Sequence, residues 1–154
     1  MSGMSKIVKT ISSIAFPLVT IYGLYIIAHG HLTPGGGFQG GAIVASGCAM
    51  ILVAYGSVWT MGKIKEKHLS VLESLGAIGF ISLALLGLVF GVVFFKNFLM
   101  GNEYFFGEIG EGLANINTAG VLPLMNFAVG LKVSVGLFAI VLVMAYATRL
   151  KEEK

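Results

Sequence analysis

Apolar residues gather into four long runs along this chain, separated by short polar or glycine-rich breaks. The runs cover residues 7–28, 38–60, 71–95 and 126–148. A bilayer's hydrocarbon layer is about 30 Å thick, and about 20 residues of α-helix cross it. Inside that layer every backbone N–H and C=O must be bonded within its own segment or to closed neighbours, so runs of this length are read as helices. The pattern predicts an all-α fold: one membrane domain over residues 1–154, polytopic, with four transmembrane helices and an extracytoplasmic loop at 96–125. The first run is too long for a signal-peptide h-region, and no A-x-A site follows it.

Charge adds an orientation. Lys6 and Lys9 precede the first helix, Lys63, Lys65 and Lys67 lie between the second and third, and Arg149, Lys151 and Lys154 follow the fourth. Lys96 alone falls in a loop on the opposite side. Cytoplasmic segments carry the excess of Lys and Arg, so the expectation is a multi-pass protein of the cytoplasmic membrane with both termini in the cytoplasm. The net charge of +3 is then a solvated face near anionic headgroups, and no nucleic-acid partner is expected.

Composition narrows the chemistry. The chain is 56% hydrophobic and 11% charged, against about 25% charged in soluble domains. Cys48 is its one cysteine, and aspartate is absent. There is no C-x-x-C, no His/Cys cluster and no G-x-x-x-x-G-K-[ST]. No catalytic residue, metal site or cofactor is expected in this chain; any redox or hydrolytic chemistry lies in other subunits.

Two segments are not ordinary spans. Between the first two runs lies HGHLTPGGGFQGGA. Pro34 disfavours helical geometry at the residue before it, and the glycines after it allow a tight backbone path. Gly37, Gly41, Ala45 and Ala49 recur every four residues, a small-residue stripe suited to helix packing. The second segment, 96–124, carries Glu103, Glu108, Glu111, Asn115 and Asn117 and mixes aromatics with carboxylates at 104–109. It is expected to cap the protein against neighbouring subunits, in preference to binding a metal.

The ion-pathway candidates are Lys132, Glu73, His29 and His31. Lys132 lies inside the fourth run, where an ammonium costs roughly 2.5–3.5 kcal/mol on insertion scales. An ionisable group there calls for a polar site with a named partner, unless the long stem carries the charge to the interface. Ala128, Gly136 and Ala139 share its helix face, which is small and suited to protein contact. Glu73 opens the third helix, where a carboxylate also complements the helix dipole. The sequence puts Glu73 and Lys132 nearer opposite membrane faces, as stations of one path or each paired with a neighbouring subunit. His29 and His31 flank Gly30; imidazole can relay protons near neutral pH and equally serves as a loop or capping group.

The run GHLTPGGGFQGGAIVASG, residues 30–47, resembles the signature of the MnhB/MrpB family, small four-helix subunits of Mrp-type multisubunit sodium/proton antiporters. The pattern G-H-x-x-P-G-G-G-F-x-G-G matches at Gly30, His31, Pro34, Gly35, Gly36, Gly37, Phe38, Gly40 and Gly41. The four spans and a Pro-led fourth helix extend the resemblance over nearly the whole chain. Antiporter members carry an acidic residue near the start of that helix, in a pattern like P-L-L-F-D-x-G-V. This chain has PLMNFAVGLKV, with Asn126, Phe127 and Lys132. In this it is similar to the versions built into archaeal membrane-bound hydrogenase and related sulfur-reducing complexes. The resemblance implies a subunit supporting sodium/proton transport coupled to ferredoxin-linked hydrogen evolution or sulfur reduction. Its implied partners are other Mrp-like membrane subunits, with hydrogenase or iron–sulfur subunits alongside them. A stand-alone antiporter subunit and a purely structural scaffold are the alternatives.

The basic asymmetry predicts a labelling pattern. In a Cys48→Ala background, cysteines at positions 2 and 154 should be shielded from impermeant thiol reagents in intact cells, and a cysteine at 102 should react. Outside labelling of both termini would reverse the orientation.

Overall fold

The structure, a computed structural model, describes residues 4–32, 34–91, 93–99 and 119–152. The carboxylates and amides at 103, 108, 111, 115 and 117 fall outside these. Among the described residues there are five helices and no strand: α1 (Lys6–His29), α2 (Gly37–Tyr55), α3 (Ser57–Lys63), α4 (Glu66–Gly91) and α5 (Leu122–Glu152). Helices α1, α2, α4 and α5 are each long and apolar enough to cross a membrane.

Several boundaries differ from the sequence reading; α4 ends at Gly91 rather than 95, and α5 runs on to Glu152 rather than 148. The run 38–60 is not one helix. Gly56, at φ 89° and ψ 158°, stops α2 and starts α3, in a backbone region that glycine alone enters readily. Hydropathy is blind to this, since the apolar pattern continues through the break. The third span starts at Glu66 rather than 71, because Glu66, Lys67 and His68 form its polar first turn. The fourth starts at Leu122 rather than 126, with Pro123 in the first turn, where its missing N–H costs nothing. Lys63 and Lys67 are therefore helical, and only Ile64 and Lys65 link α3 to α4.

Local chemistry explains most ends. The Ser5 hydroxyl accepts from the Val8 N–H at the start of α1. Pro17 sits within α1 without ending it. The Ser13 hydroxyl bonds the Lys9 carbonyl at 2.8 Å and meets the Tyr55 hydroxyl at 2.8 Å, tying α1 to the end of α2. After α4, the Phe95 and Lys96 backbone lies against Gly87, so this glycine serves a turn rather than a helix contact. Asn97 then donates to the Ala119 carbonyl and accepts from the Val121 N–H, each at 2.8 Å. One side chain thus joins the two ends of the long connection.

The helices lie side by side in the order α1, α2, α5, α4; α1 also touches α5, and α4 is held chiefly by α5. Directions follow from the contacts. Gly23 meets Gly40 and Val44, while Gly47 meets Val19 and Phe16, so α1 and α2 are antiparallel. Gly37 meets Asn126 and Val129, while Gly41 meets Gly130 and Val133, so α2 and α5 are parallel. The stripe read from the sequence therefore faces α5. At the far end Ala45, Leu52, Leu69, Phe138 and Leu142 make the buried cluster. Many large apolar side chains remain open to the outside, among them Ile7, Ile11, Ile14, Leu18 and Ile21 on α1, as suits lipid or further protein.

Gly56 and Gly62 both have open space where a Cβ would go, yet only Gly56 has positive φ. Gly56→Ala should destabilise by about 1–3 kcal/mol through backbone strain. Gly62→Ala, inside α3, should be neutral or stabilising by up to about 1 kcal/mol. Unfolding in mixed detergent micelles separates them; equal effects would mean that the α2–α3 break does not depend on Gly56.

Candidate functional site

The seam between α4 and α5 is built on Gly76. A Cβ there would lie 2.8 Å from both the Ala128 carbonyl and the Lys132 nitrogen, so the two backbones touch. One turn earlier on α4, Glu73 reaches over Gly136, with its carboxyl 3.6 Å from where a Cβ of Gly136 would be. That missing side chain leaves room for the carboxylate. From this position Glu73 Oε1 accepts a hydrogen bond from Lys132 Nζ at 3.2 Å, a direct ion pair.

This corrects the expectation that the two residues sit near opposite membrane faces. The error lay in helix register. Leu69 packs with Phe138 and Leu142, so α4 begins beside the second half of α5, which continues about two turns further. The short α3 takes up the difference. Glu73 is consequently about 10 Å inside α4 and level with Lys132, itself about 15 Å inside α5, at 1.5 Å per residue.

The pair is not enclosed. The Lys132 and Glu73 side chains are 49% and 41% exposed, on the flank of the α4–α5 seam. An unpaired charge facing acyl chains is costly. Pairing lowers that cost, and covering by another protein chain or by water lowers it further. The arrangement offers a carboxylate whose cationic partner can be displaced from one open side.

The glycine turn forms a second polar node. Gly36, at φ 107°, lies against Gly30 so closely that a Cβ on Gly30 would overlap the Gly36 Cα, and the Asn126 amide sits beside both. Gly40 presses on α1 at Ile27 and Gly23, while Gly41, its neighbour, presses on α5 at Gly130. Adjacent positions on a helix point about 100° apart, so one Gly-Gly pair serves two contacts. Pro34, Gly35 and Phe38 are exposed. His29 stacks on Tyr25 with ring centroids 4.3 Å apart. Both ring nitrogens of His31 are buried without a hydrogen-bond partner among the described residues.

The structure thus joins two of the four candidate residues and sets the histidines at a different level. Asn126 marks the histidine level, six residues before Lys132 and about 9 Å away along the axis. The sequence reading missed the pairing and the part played by Gly76 and Gly136. A signal was present: a glycine three residues after Glu73 and another four after Lys132, each on the same helix face as its charge. Among the described residues no group of three or more His, Cys, Asp or Glu could hold a metal ion.

Comparison with known proteins sets this geometry in context. The sequence model of the domain related to the MnhB subunit of Na+/H+ antiporters matches residues 7–139. An uncharacterized protein of Methanocaldococcus jannaschii is 38% identical over 143 residues, covering 89% of this chain and 52% of that protein. A Na+/H+ antiporter subunit of Bacillus subtilis is 30% identical over 87 residues, covering 56% of this chain and 52% of its own length. The chain spans about half the length of these curated relatives. Among solved structures, a chain of the membrane-bound sulfane sulfur reductase, an archaeal respiratory membrane complex, superposes with a TM-score of 0.75 at 29% identity, covering 94% of this chain and 61% of that one.

Two glycines on α4 test the seam. A Cβ at Gly76 has no room, whereas one at Gly79 would meet the Ala128 Cβ at an ordinary 3.7 Å. Gly76→Ala should push α4 from α5 and destabilise by about 1–3 kcal/mol, as overpacking does. Gly79→Ala should be neutral or stabilising. Unfolding in mixed micelles reads both, and a harmless Gly76→Ala would contradict the backbone contact.

Proposed function

The chain belongs to the family of domains related to the MnhB subunit of Na+/H+ antiporters, and from that premise we propose that it is a membrane subunit of an Mrp-type ion-translocating module. In this reading its neighbours are other Mrp-like membrane subunits, both termini lie in the cytoplasm, and transport is coupled to a ferredoxin-linked reaction such as sulfur reduction or hydrogen evolution. The likeness to a chain of the sulfane sulfur reductase complex supports the redox-linked setting over a stand-alone antiporter. The observation that carries the functional part is the Glu73–Lys132 pair, half open on an otherwise apolar seam.

The mechanism follows from the chemistry of the pair. While Lys132 is charged it neutralises Glu73 and repels other cations. A sodium ion or proton arriving from the open side competes for the same carboxylate oxygens. Its arrival frees the ammonium, which then passes its proton to water on the open side or pairs with an anion of a neighbouring chain. The pair thereby acts as an electrostatic gate rather than a permanent binding site. A lysine suits this role because an amine can give up a proton, which a guanidinium does not.

Reconstituted vesicles containing the complete complex provide the test. The double variant Glu73→Gln with Lys132→Met removes both charges and should assemble, yet translocate about tenfold more slowly or worse, a barrier increase of about 1.4 kcal/mol. Lys132→Ala alone strands the Glu73 charge and should also lower complex yield. Lys132→Arg should keep assembly; retained transport would specify an electrostatic role, and lost transport a proton relay. If the double variant, Lys132→Arg and the wild type all translocate equally fast, the pair only packs and the subunit is a scaffold.

A further inference from the structure

A cavity of about 350 Å³ opens among α1, α2, α3 and α5, at the end of the bundle where the basic residues gather. That is within the size range of ligand sites, roughly 300–1,000 Å³. Its inner wall is apolar, with Phe16 on α1, Ile51 on α2 and Phe138 on α5. Its edge is different. Trp59 and Lys63 on α3 line it and are exposed, and the Ser13 and Tyr55 hydroxyls meet there at 2.8 Å. Lys9 adds a second cation, its Nζ lying 5.7 Å from the centroid of the Tyr55 ring. Among the described residues no carboxylate pairs with Lys9 or Lys63. Gly56 parts α3 from α2, and α3, which reaches α5, brings Trp59 and Lys63 to the cavity's edge.

We propose that this cavity binds one membrane lipid with an anionic phosphate headgroup, its acyl chain against Phe16 and Phe138 and its phosphate between Lys9 and Lys63. The charge pattern selects this occupant. An apolar wall alone would accept any acyl chain or partner helix. Two cations without a counter-ion among the described residues, beside two hydroxyls and an indole, match an anionic headgroup at the membrane interface. Basic sites between helices on such a face attract anionic lipid by about 1 kcal/mol per Lys or Arg. The site is independent of the Glu73–Lys132 pair and of the reading built on it.

Trp59 is the one tryptophan of the chain, so its fluorescence reports on the cavity directly. The full chain is placed in phosphatidylcholine bilayers holding a small fraction of either bromine-labelled phosphatidylglycerol or bromine-labelled phosphatidylcholine. The anionic lipid should quench Trp59 with an apparent affinity on the order of tenfold higher than the zwitterionic one. The double variant Lys9→Gln, Lys63→Gln should reduce this preference to about twofold or less. Lys65→Gln with Lys67→Gln, which removes equal charge outside the cavity, should leave it in place. Equal quenching by the two lipids in the wild type would overturn the proposal. So would a preference that survives loss of Lys9 and Lys63, or one that falls equally with Lys65 and Lys67, since either would reduce it to general surface attraction.

Discussion

Each main helix contact in this protein is made where a side chain is missing. Lipid tails are as apolar as leucine, so helices gain little by hiding apolar surface from them and must associate through close packing and polar contacts. Gly23 and Gly40 bring α1 onto α2. Gly37, Gly41 and Gly130 bring α2 onto α5, with Ile27 of α1 reaching into the same junction, and Gly76 brings α4 onto α5. Everything else about the fold inherits its register from these contacts. A longer residue at Gly76 would separate the backbones just where Glu73 must reach Lys132.

The consequence is a row of helices rather than a closed bundle. Helix α4 is held almost entirely by α5, which leaves its other flanks bare. Ile78, Ile81, Leu85 and Val89 are exposed there, and such a surface suits acyl chains or another apolar helix. The Glu73–Lys132 pair suits neither unaided, since it is polar, half open and placed along apolar helices. The chain that it resembles in the sulfane sulfur reductase is part of an archaeal respiratory membrane complex, a setting in which such features would be covered.

Much of this was legible in the residues. Four runs of about 20 apolar residues admit little except spans, and all four are helical, the second divided at Gly56. The four-residue spacing of Gly37, Gly41 and Ala45 marked the face of α2 that meets α5. What stayed hidden depended on geometry that hydropathy does not carry. Gly56 looks like any glycine within an apolar run, yet its positive φ divides the run in two. Beyond the break α3 contacts α5, and α4 runs with Leu69 against Phe138 and Leu142, a register in which Glu73 is level with Lys132. A register estimated by counting from presumed membrane surfaces could not include the break. The histidines show the converse: their position beside the glycine turn was evident, while the lack of hydrogen-bond partners around His31 among the described residues belongs to the packing alone.

Helices α4 and α5 hold positions 73 and 132 side by side. Intramolecular crosslinking in native membranes tests this most directly. Cysteines at 73 and 132, in a Cys48→Ala chain, are treated with a short bifunctional thiol reagent, and the linked peptides are identified by mass spectrometry. An efficient 73–132 link is expected, and none between 66 and 132, whose register differs by about two turns. A link at 66–132 without one at 73–132 would contradict this register, and with it the ion pair.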